Sequence, residues 1–232
     1  MLLRFPLTGT TSKLPLSITR LILIPGAITL AVTVLRLVGE LRHWSTAWFN
    51  PEAGGPWSIV GITWLAPIFG IYFAVRLACS GEGPKSSWRA IVFAILGIGV
   101  GVAGIYLYIA LRPPFSFEGR LVYFWALQVL AAMVTLPGWP ALFRTLLAYG
   151  LAARIPVAVV MFFPFRGNWG THYDALPPDF PTGMGLLAKY LWLGFVPQLT
   201  YWVGFTILMG MLFGALAAGL ARLLRRPPQP AS

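Results

Sequence analysis

Apolar residues occur along this chain in long blocks, and short segments rich in charge, glycine and proline separate them. The blocks lack the alternation of apolar and polar positions that marks the strands of a membrane barrel, and they are about twice as long as such strands. Inside lipid a backbone must satisfy its own hydrogen bonds, and a helix does this within one segment. The pattern therefore predicts an all-α fold, a polytopic integral membrane helix bundle of about six transmembrane helices.

The ends of the blocks set the limits of the predicted spans. Six spans are predicted, at about 17–41, 57–78, 88–111, 119–136, 141–163 and 197–224. The apolar stretch that holds the last span would measure about 58 Å as one helix, well beyond a single crossing. We therefore place a division at Pro197 and predict an interfacial helix at 186–196, with a seventh, re-entrant element as the alternative. Six spans leave no room for a separate soluble domain, so residues 1–232 are predicted to form one membrane domain.

The composition agrees with a lipid-exposed protein. Of the 232 residues, 58% are hydrophobic and 10% are charged, whereas soluble domains carry about 25% charged residues. Too few charged side chains remain to cover a water-facing surface, so membrane lipids are the first predicted partner. The 17 lysines and arginines outnumber the 6 acidic residues, but they lie at block ends and form no aromatic and basic groove. Nucleic acid is therefore not expected as a partner.

The placement of the basic residues predicts an orientation. With six spans both termini lie on one side, and most lysines and arginines fall on that side. They are Arg4, Lys13, Arg20, Arg76, Lys85, Arg89, Arg144, Arg222, Arg225 and Arg226. Because basic residues concentrate on the cytoplasmic side of a membrane protein, both termini are predicted to be cytoplasmic. The frequent arginine, alanine, glycine and proline residues indicate a bacterial protein, hence the plasma (bacterial inner) membrane.

Three charged residues of the first and fifth predicted spans fall at similar depth, in the half of the span away from the termini. Arg36 and Glu40 share a face of the first span because they lie four positions apart, and Arg154 lies in the fifth span. The connection before the last span adds His172 and Asp174 just above them. Ionisable groups within spans are often functional, so these five residues are the candidate ligand-binding site. The alternative is structural: the arginines reach towards the head groups, and Glu40 neutralises one of them.

The sequence gives little support for a catalytic site, a metal site or a cofactor site. The sequence contains no GxSxG, HExxH or phosphate-binding loop motif, so no catalytic residue is predicted. His43, His172 and Asp174 would supply three metal ligands only if two connections met, so no metal site is predicted. The two histidines of the chain lie outside the spans, which argues against haem held by paired histidines. No cofactor is expected.

Small and polar residues inside the spans predict helix contacts. Two sets of small residues lie at helical spacing: Gly97, Gly101 and Gly104 in the third span, and Gly210, Gly214 and Ala218 in the last. Such residues let helices approach closely, and we interpret them first as packing within the bundle. The alternative is an interface with other membrane subunits or with a second copy. Gln128 and Gln198 are predicted to bond neighbouring helices or, alternatively, to line a cavity beside Pro197.

Three functions remain compatible with these features. The leading hypothesis is a non-enzymatic accessory, scaffold or lipid-associated membrane protein, because catalytic motifs are missing and small-residue faces are present. The second is a small permease or ligand-binding membrane protein that uses Arg36, Glu40 and Arg154 for an anionic or amphiphilic ligand, since arginines bind carboxylate and phosphate groups well. The third is a membrane enzyme acting on lipid-like substrates, with His172 as the general base.

Overall fold

The computed structural model describes residues 17–52 and 58–224, and within these residues the chain forms helices and contains no strand. Helices account for 74% of the protein, so the predicted all-α fold class is confirmed. Six helices follow in chain order: α1 (Ile18–Leu41), α2 (Leu65–Ser80), α3 (Ser87–Leu111), α4 (Phe117–Val134), α5 (Pro140–Gly167) and α6 (Leu186–Leu224). The predicted start of the second span at 57, and Arg4, Lys13, Arg225 and Arg226, lie outside the described residues.

Five of these helices, α1, α3, α4, α5 and α6, are long and apolar enough to cross a membrane. The sixth, α2, is apolar but has 16 residues, about 24 Å of helix against a hydrocarbon core of about 30 Å. Many large apolar side chains are exposed on the surface of the bundle, where they would contact lipid. The protein is therefore a multi-pass helix bundle embedded in a membrane.

Local sequence explains where several helices begin and end. The hydroxyl groups of Ser17, Ser86 and Ser116 accept backbone N–H groups in the first turns of α1, α3 and α4, which otherwise lack acceptors. Gly81 ends α2 with a φ of 93°, a left-handed conformation that glycine adopts without a steric penalty.

The second helix begins later than its apolar block predicts. The block starts near 57, but α2 begins at Leu65. The residues before it fold back on the α1–α2 connection, where the Ile59 and Val60 N–H groups donate to the Ala47 and Trp48 carbonyls at 3.4 and 3.1 Å. These backbone bonds replace the helical ones, so an apolar segment forms a loop instead of a helical turn.

The last helix is continuous, and the predicted division at Pro197 does not occur. Helix α6 runs for 39 residues, and the segment predicted as an interfacial helix, 186–196, is its first part. Two π-helical segments, Tyr190–Phe195 and Gln198–Trp202, lie on either side of the proline. Proline has no N–H and its ring clashes with the carbonyl four positions earlier. The wider π turns change the hydrogen-bond register around the proline, so the helix continues past it.

Helix α6 lies at the centre of the bundle, and small residues bring its neighbours close. It packs against α2, α3, α4 and α5, while α1 packs mainly on α5. A Cβ atom on Gly70 of α2 would overlap the backbone of Gly210 on α6, and one on Gly97 would lie 2.6 Å from the Ala131 carbonyl oxygen. Both predicted small-residue sets thus lie at contacts between helices of this chain. An association with another subunit through them stays a prediction.

Gly70→Ala is expected to lower the free energy of unfolding by about 1–3 kcal/mol, because the added methyl group must separate α2 from α6. Gly99→Ala is the matched control, since a Cβ atom there meets nothing within 4 Å. That change is expected to be neutral or slightly stabilising, as alanine favours a helix over glycine. Unfolding of the detergent-solubilised protein measures both variants, and equal effects would contradict the proposed packing.

The connections lie at two ends of the bundle. The α1–α2, α3–α4 and α5–α6 connections form the long-connection end, where the His172 N–H group donates to Glu40 of α1. The α2–α3 and α4–α5 connections form the short-connection end, where the Trp139 Nε1–H group donates to the Glu82 carbonyl at 2.9 Å. Side chains from different helices therefore meet in two separate places.

Candidate functional site

Arg36 and Glu40 form an ion pair near the C-terminal end of α1. The Arg36 Nε–H group donates to Glu40 Oε1 at 2.9 Å, the pairing that their four-residue spacing predicts. Both residues are buried, and the Glu40 side chain is fully shielded from solvent. The Arg36 Nη2 group also donates to the Asn50 carbonyl at 3.1 Å, which ties the α1–α2 connection to the pair.

Glu40 also holds the α5–α6 connection against α1. Its Oε2 atom accepts the His172 backbone N–H group at 2.9 Å. The His172 Nδ1 atom lies 2.6 Å from Glu40 Oε1, but this approach is outside hydrogen-bond geometry. One carboxylate thus joins an arginine of its own helix to a connection 132 residues further along the chain.

The Asp174 carboxylate accepts hydrogen bonds from residues of the α5–α6 connection, to which it belongs. Its carboxylate accepts the Gly170 N–H group at 2.9 Å, the Thr171 N–H group at 2.8 Å and the Thr171 hydroxyl group at 2.6 Å. These bonds close a local turn, and Asp174 does not line the cavity described next. Asp174 thus stays near His172 in the same connection but does not join Arg36 and Arg154 at the cavity.

A cavity of about 340 Å³ lies at the long-connection end, between α1, α5 and α6. Three of the five candidate residues line it: Arg36, Arg154 and His172. The rest of the lining is mostly apolar and aromatic: Ile62, Thr63, Val157, Met161, Tyr173, Gln198, Tyr201, Trp202 and Phe205. Its volume falls within the range of small-molecule sites in proteins, about 300–1,000 Å³.

Arg154, on α5, is the central charge of this cavity. It is 4% exposed, and its Nη1 group donates to Gln198 Oε1 at 3.2 Å. Its guanidinium carbon lies 5.1 Å from the centre of the Trp202 ring, a cation–π contact. Gln198 is oriented by its second bond, in which Nε2 donates to Met161 Sδ at 3.3 Å. The guanidinium thus has one amide partner and one aromatic face.

Within the described residues, no carboxylate neutralises Arg154. All 6 acidic residues lie within the described residues, and none forms an ion pair with it. Glu40 pairs with Arg36, and Asp179 pairs with Arg120 in the first turn of α4. Arg36 and Arg154 are therefore different: the first is balanced, and the second is a buried positive charge without a counter-charge from the described chain.

The connection above the cavity adds two residues that stay neutral. Burial lowers the pKa of His172 below its ordinary value, and the Arg36 charge acts in the same direction, while Glu40 and Asp174 raise it. Burial raises the pKa of Tyr173, whose hydroxyl group donates to the Thr33 carbonyl at 3.1 Å. At neutral pH neither residue cancels the charge of Arg154.

Several lining residues were not predicted. Tyr201 and Trp202 lie in an apolar block, where an aromatic side chain facing a cavity looks like one facing lipid. Two lining residues of α5 could have been predicted from their spacing. Val157 and Met161 lie three and seven positions after Arg154, so they share its face of the helix. On α6, Trp202 lies four positions after Gln198, which places both beside the same cavity.

The remaining polar candidates lie elsewhere. Gln128, on α4, packs against Gly204 of α6, where a Cβ atom on the glycine would lie 2.9 Å from it. His43 lies in the α1–α2 connection with a φ of 52° and does not line the cavity. Within residues 17–52 and 58–224, no three histidine, cysteine or acidic residues are grouped to hold a metal ion.

Fold and site together define a multi-pass helical membrane protein with a positively charged, aromatic-lined cavity at its long-connection end. No protein-family model, no curated protein and no solved structure matches the chain. The residues of the cavity are therefore the basis for a functional proposal.

Proposed function

We propose that this protein binds an anionic amphiphile, with the anionic group on Arg154 and the apolar part against the aromatic side chains of the cavity. The observation that carries the proposal is the buried guanidinium of Arg154, which faces the cavity and has no carboxylate partner in the described chain. Carboxylate and phosphate groups are the usual partners of arginine in binding sites.

The energetics of Arg154 support this ligand class. Moving a guanidinium out of water costs several kcal/mol after relaxation. The hydrogen bond to Gln198 offsets about 1.5–3 kcal/mol, and the contact with Trp202 about 2 kcal/mol. A bound anion would add the charge attraction that neither neutral partner supplies.

The lining of the cavity supports an amphiphile over a small inorganic anion. Val157 and Met161 are buried on the α5 wall, and Tyr201, Trp202 and Phe205 are partly exposed on the α6 wall. An apolar chain that moves from water into such a lining gains about 0.8 kcal/mol for each CH₂ group that it buries. The ligand would thus place its charge on Arg154 and its chain along α6.

We therefore favour a ligand-binding function, as a permease or a binding protein, over the accessory or scaffold role that led the sequence hypotheses. The small residues, for which an interface with another subunit was the alternative interpretation, lie at contacts between helices of the same chain. A lipid-like ligand remains compatible with the lipid-associated part of the leading hypothesis. An enzyme with His172 as general base has less support, because the sequence contains no GxSxG, HExxH or phosphate-binding loop motif beside it.

We also propose that the long-connection end faces the outside of a bacterial inner membrane. The described basic residues at the short-connection end are Arg20, Arg76, Lys85, Arg89, Arg144 and Arg222, against one acidic residue there, Glu82. Positive charge marks the cytoplasmic side, so both termini would be cytoplasmic. The cavity would then lie in the outer half of the bilayer.

Dodecyl phosphate is a suitable first probe for the purified protein in an uncharged detergent. At about 100 times its Kd it is expected to raise the free energy of unfolding by about 2.7 kcal/mol, since it binds the folded state. Dodecanol and dodecyltrimethylammonium are matched controls that keep the chain and remove or reverse the charge. Equal stabilisation by all three, or by none, would refute the proposal.

A further inference from the structure

A second cavity, of about 390 Å³, lies at the short-connection end, between the α2–α3 and α4–α5 connections. Its walls are stiff, because Pro84, Pro137 and Pro140 line it. Trp139, 2% exposed, joins the two connections by its bond to the Glu82 carbonyl. The three prolines and this bond therefore restrict the backbone around the cavity.

Basic groups predominate around this cavity. Lys85 and Arg89 line it with exposed side chains, and Glu82 is the acidic residue of the lining. The Arg222 guanidinium, from the C-terminal part of α6, donates to the Pro84 carbonyl beside them. Glu82 balances one of these three positive charges, so an anion is attracted and an acceptor oxygen stands near it.

Backbone groups add to this potential. Helix α5 begins at Pro140 without a side-chain cap, so the N–H groups of Ala141 and Leu142 have no helical acceptor. Pro140 and Ala141 belong to the lining, which places the positive end of the helix dipole at the cavity. This contribution is secondary to the lysine and arginine side chains.

We propose that the cavity binds the phosphate group of an anionic membrane lipid, with Lys85 and Arg89 as its main partners. The cavity lies at the ends of membrane-spanning helices, the depth at which lipid phosphates lie, and basic pockets between such helices suit anionic head groups. Glu82 favours a head group that carries a hydroxyl donor beside its phosphate, as phosphatidylglycerol does. This site is independent of Arg154, which lies about 21 Å further along α5.

Native mass spectrometry of the detergent-solubilised protein, titrated with phosphatidylglycerol and with phosphatidylcholine of the same chains, tests the proposal. The wild type is expected to bind the first phosphatidylglycerol roughly tenfold more tightly than phosphatidylcholine. Lys85→Gln/Arg89→Gln should abolish this preference. The matched control is Arg76→Gln/Arg144→Gln, which removes two exposed arginines at the same end but outside the cavity. This control should keep the preference.

An equal loss in both double variants would overturn the proposal, because it would indicate a general basic belt. Displacement of the lipid by excess inorganic phosphate would assign the site to a soluble phosphate group and would overturn the lipid assignment. Lys85→Gln alone changes one exposed side chain, so it reports on binding if the double variant does not fold. An Arg154 variant should keep the lipid preference, which separates this test from that of the proposed function.

Discussion

Arg154→Met is expected to weaken the binding of dodecyl phosphate by about 100-fold and to leave the ligand-free protein at least as stable as the wild type. Removing one partner of a buried charged contact costs about 2–5 kcal/mol of binding free energy. In the absence of ligand the guanidinium is buried without a carboxylate, so an apolar side chain of similar length removes a desolvation cost. Binding and stability should therefore change in opposite directions.

Titration and thermal unfolding of the same preparations measure both quantities. Arg154→Lys keeps the charge and should retain part of the binding. Arg112→Gln removes an exposed arginine at the long-connection end outside the cavity and should change neither quantity. If ligand-free Arg154→Met lost several kcal/mol in its free energy of unfolding, the proposed role would be contradicted. The guanidinium would then be a structural group, which is the alternative stated for the charged residues in the sequence analysis.

Glu40→Gln is expected to lower the free energy of unfolding by about 3–5 kcal/mol, the largest stability effect predicted for this protein. The carboxylate accepts from the Arg36 side chain and from the His172 backbone. An amide in its place leaves the Arg36 charge buried without its partner and presents a donor towards another donor. The α5–α6 connection should then loosen from α1.

Hydrogen exchange at the His172 amide and unfolding in detergent measure these effects. Glu52→Gln is the matched control, an exposed carboxylate at the same end of the bundle, and it should be neutral. The double variant Arg36→Met/Glu40→Leu removes both charges and should recover much of the lost stability. Glu40→Gln with wild-type stability and unchanged exchange would show that the ion pair does not hold the connection.

Much of the fold could be predicted because lipid restricts the choices of the backbone. An apolar block long enough to cross a bilayer must be a helix, so four of the long helices, α1, α3, α4 and α5, followed directly from their blocks. The failures lie where a local rule competes with neighbouring structure. Pro197 predicted a break, but π turns on both sides carry the helix past it. Helix α2 begins late, at Leu65, because the Ile59 and Val60 N–H groups bond to carbonyls of Ala47 and Trp48 in the same connection.

The charged half of the site could be predicted, and its apolar half could not. Arg36 and Arg154 stand out in apolar blocks, and counting residues from the helix ends places them at one depth. Trp202 has no such signal, since cavity and lipid both accept an indole ring. Asp174 was grouped with the arginines because its connection was expected to lie just above them, but a carboxylate in a tight turn finds its donors locally.

The π turns of α6 also affect the position of every residue that follows them in the helix. Each π turn holds one more residue than an α turn, so a conversion between them rotates the following residues by about 100° and shifts them by about 1.5 Å. Gln198 and Trp202 belong to one such turn, and Arg222 follows on the same rod. A change of winding around Gln198 would therefore require the rest of α6 to rotate and shift against α2, α3, α4 and α5, so the packing of the bundle holds the π turns in place. Helix α6 also reaches both cavities, with Gln198 and Trp202 at the first and Arg222 beside the second.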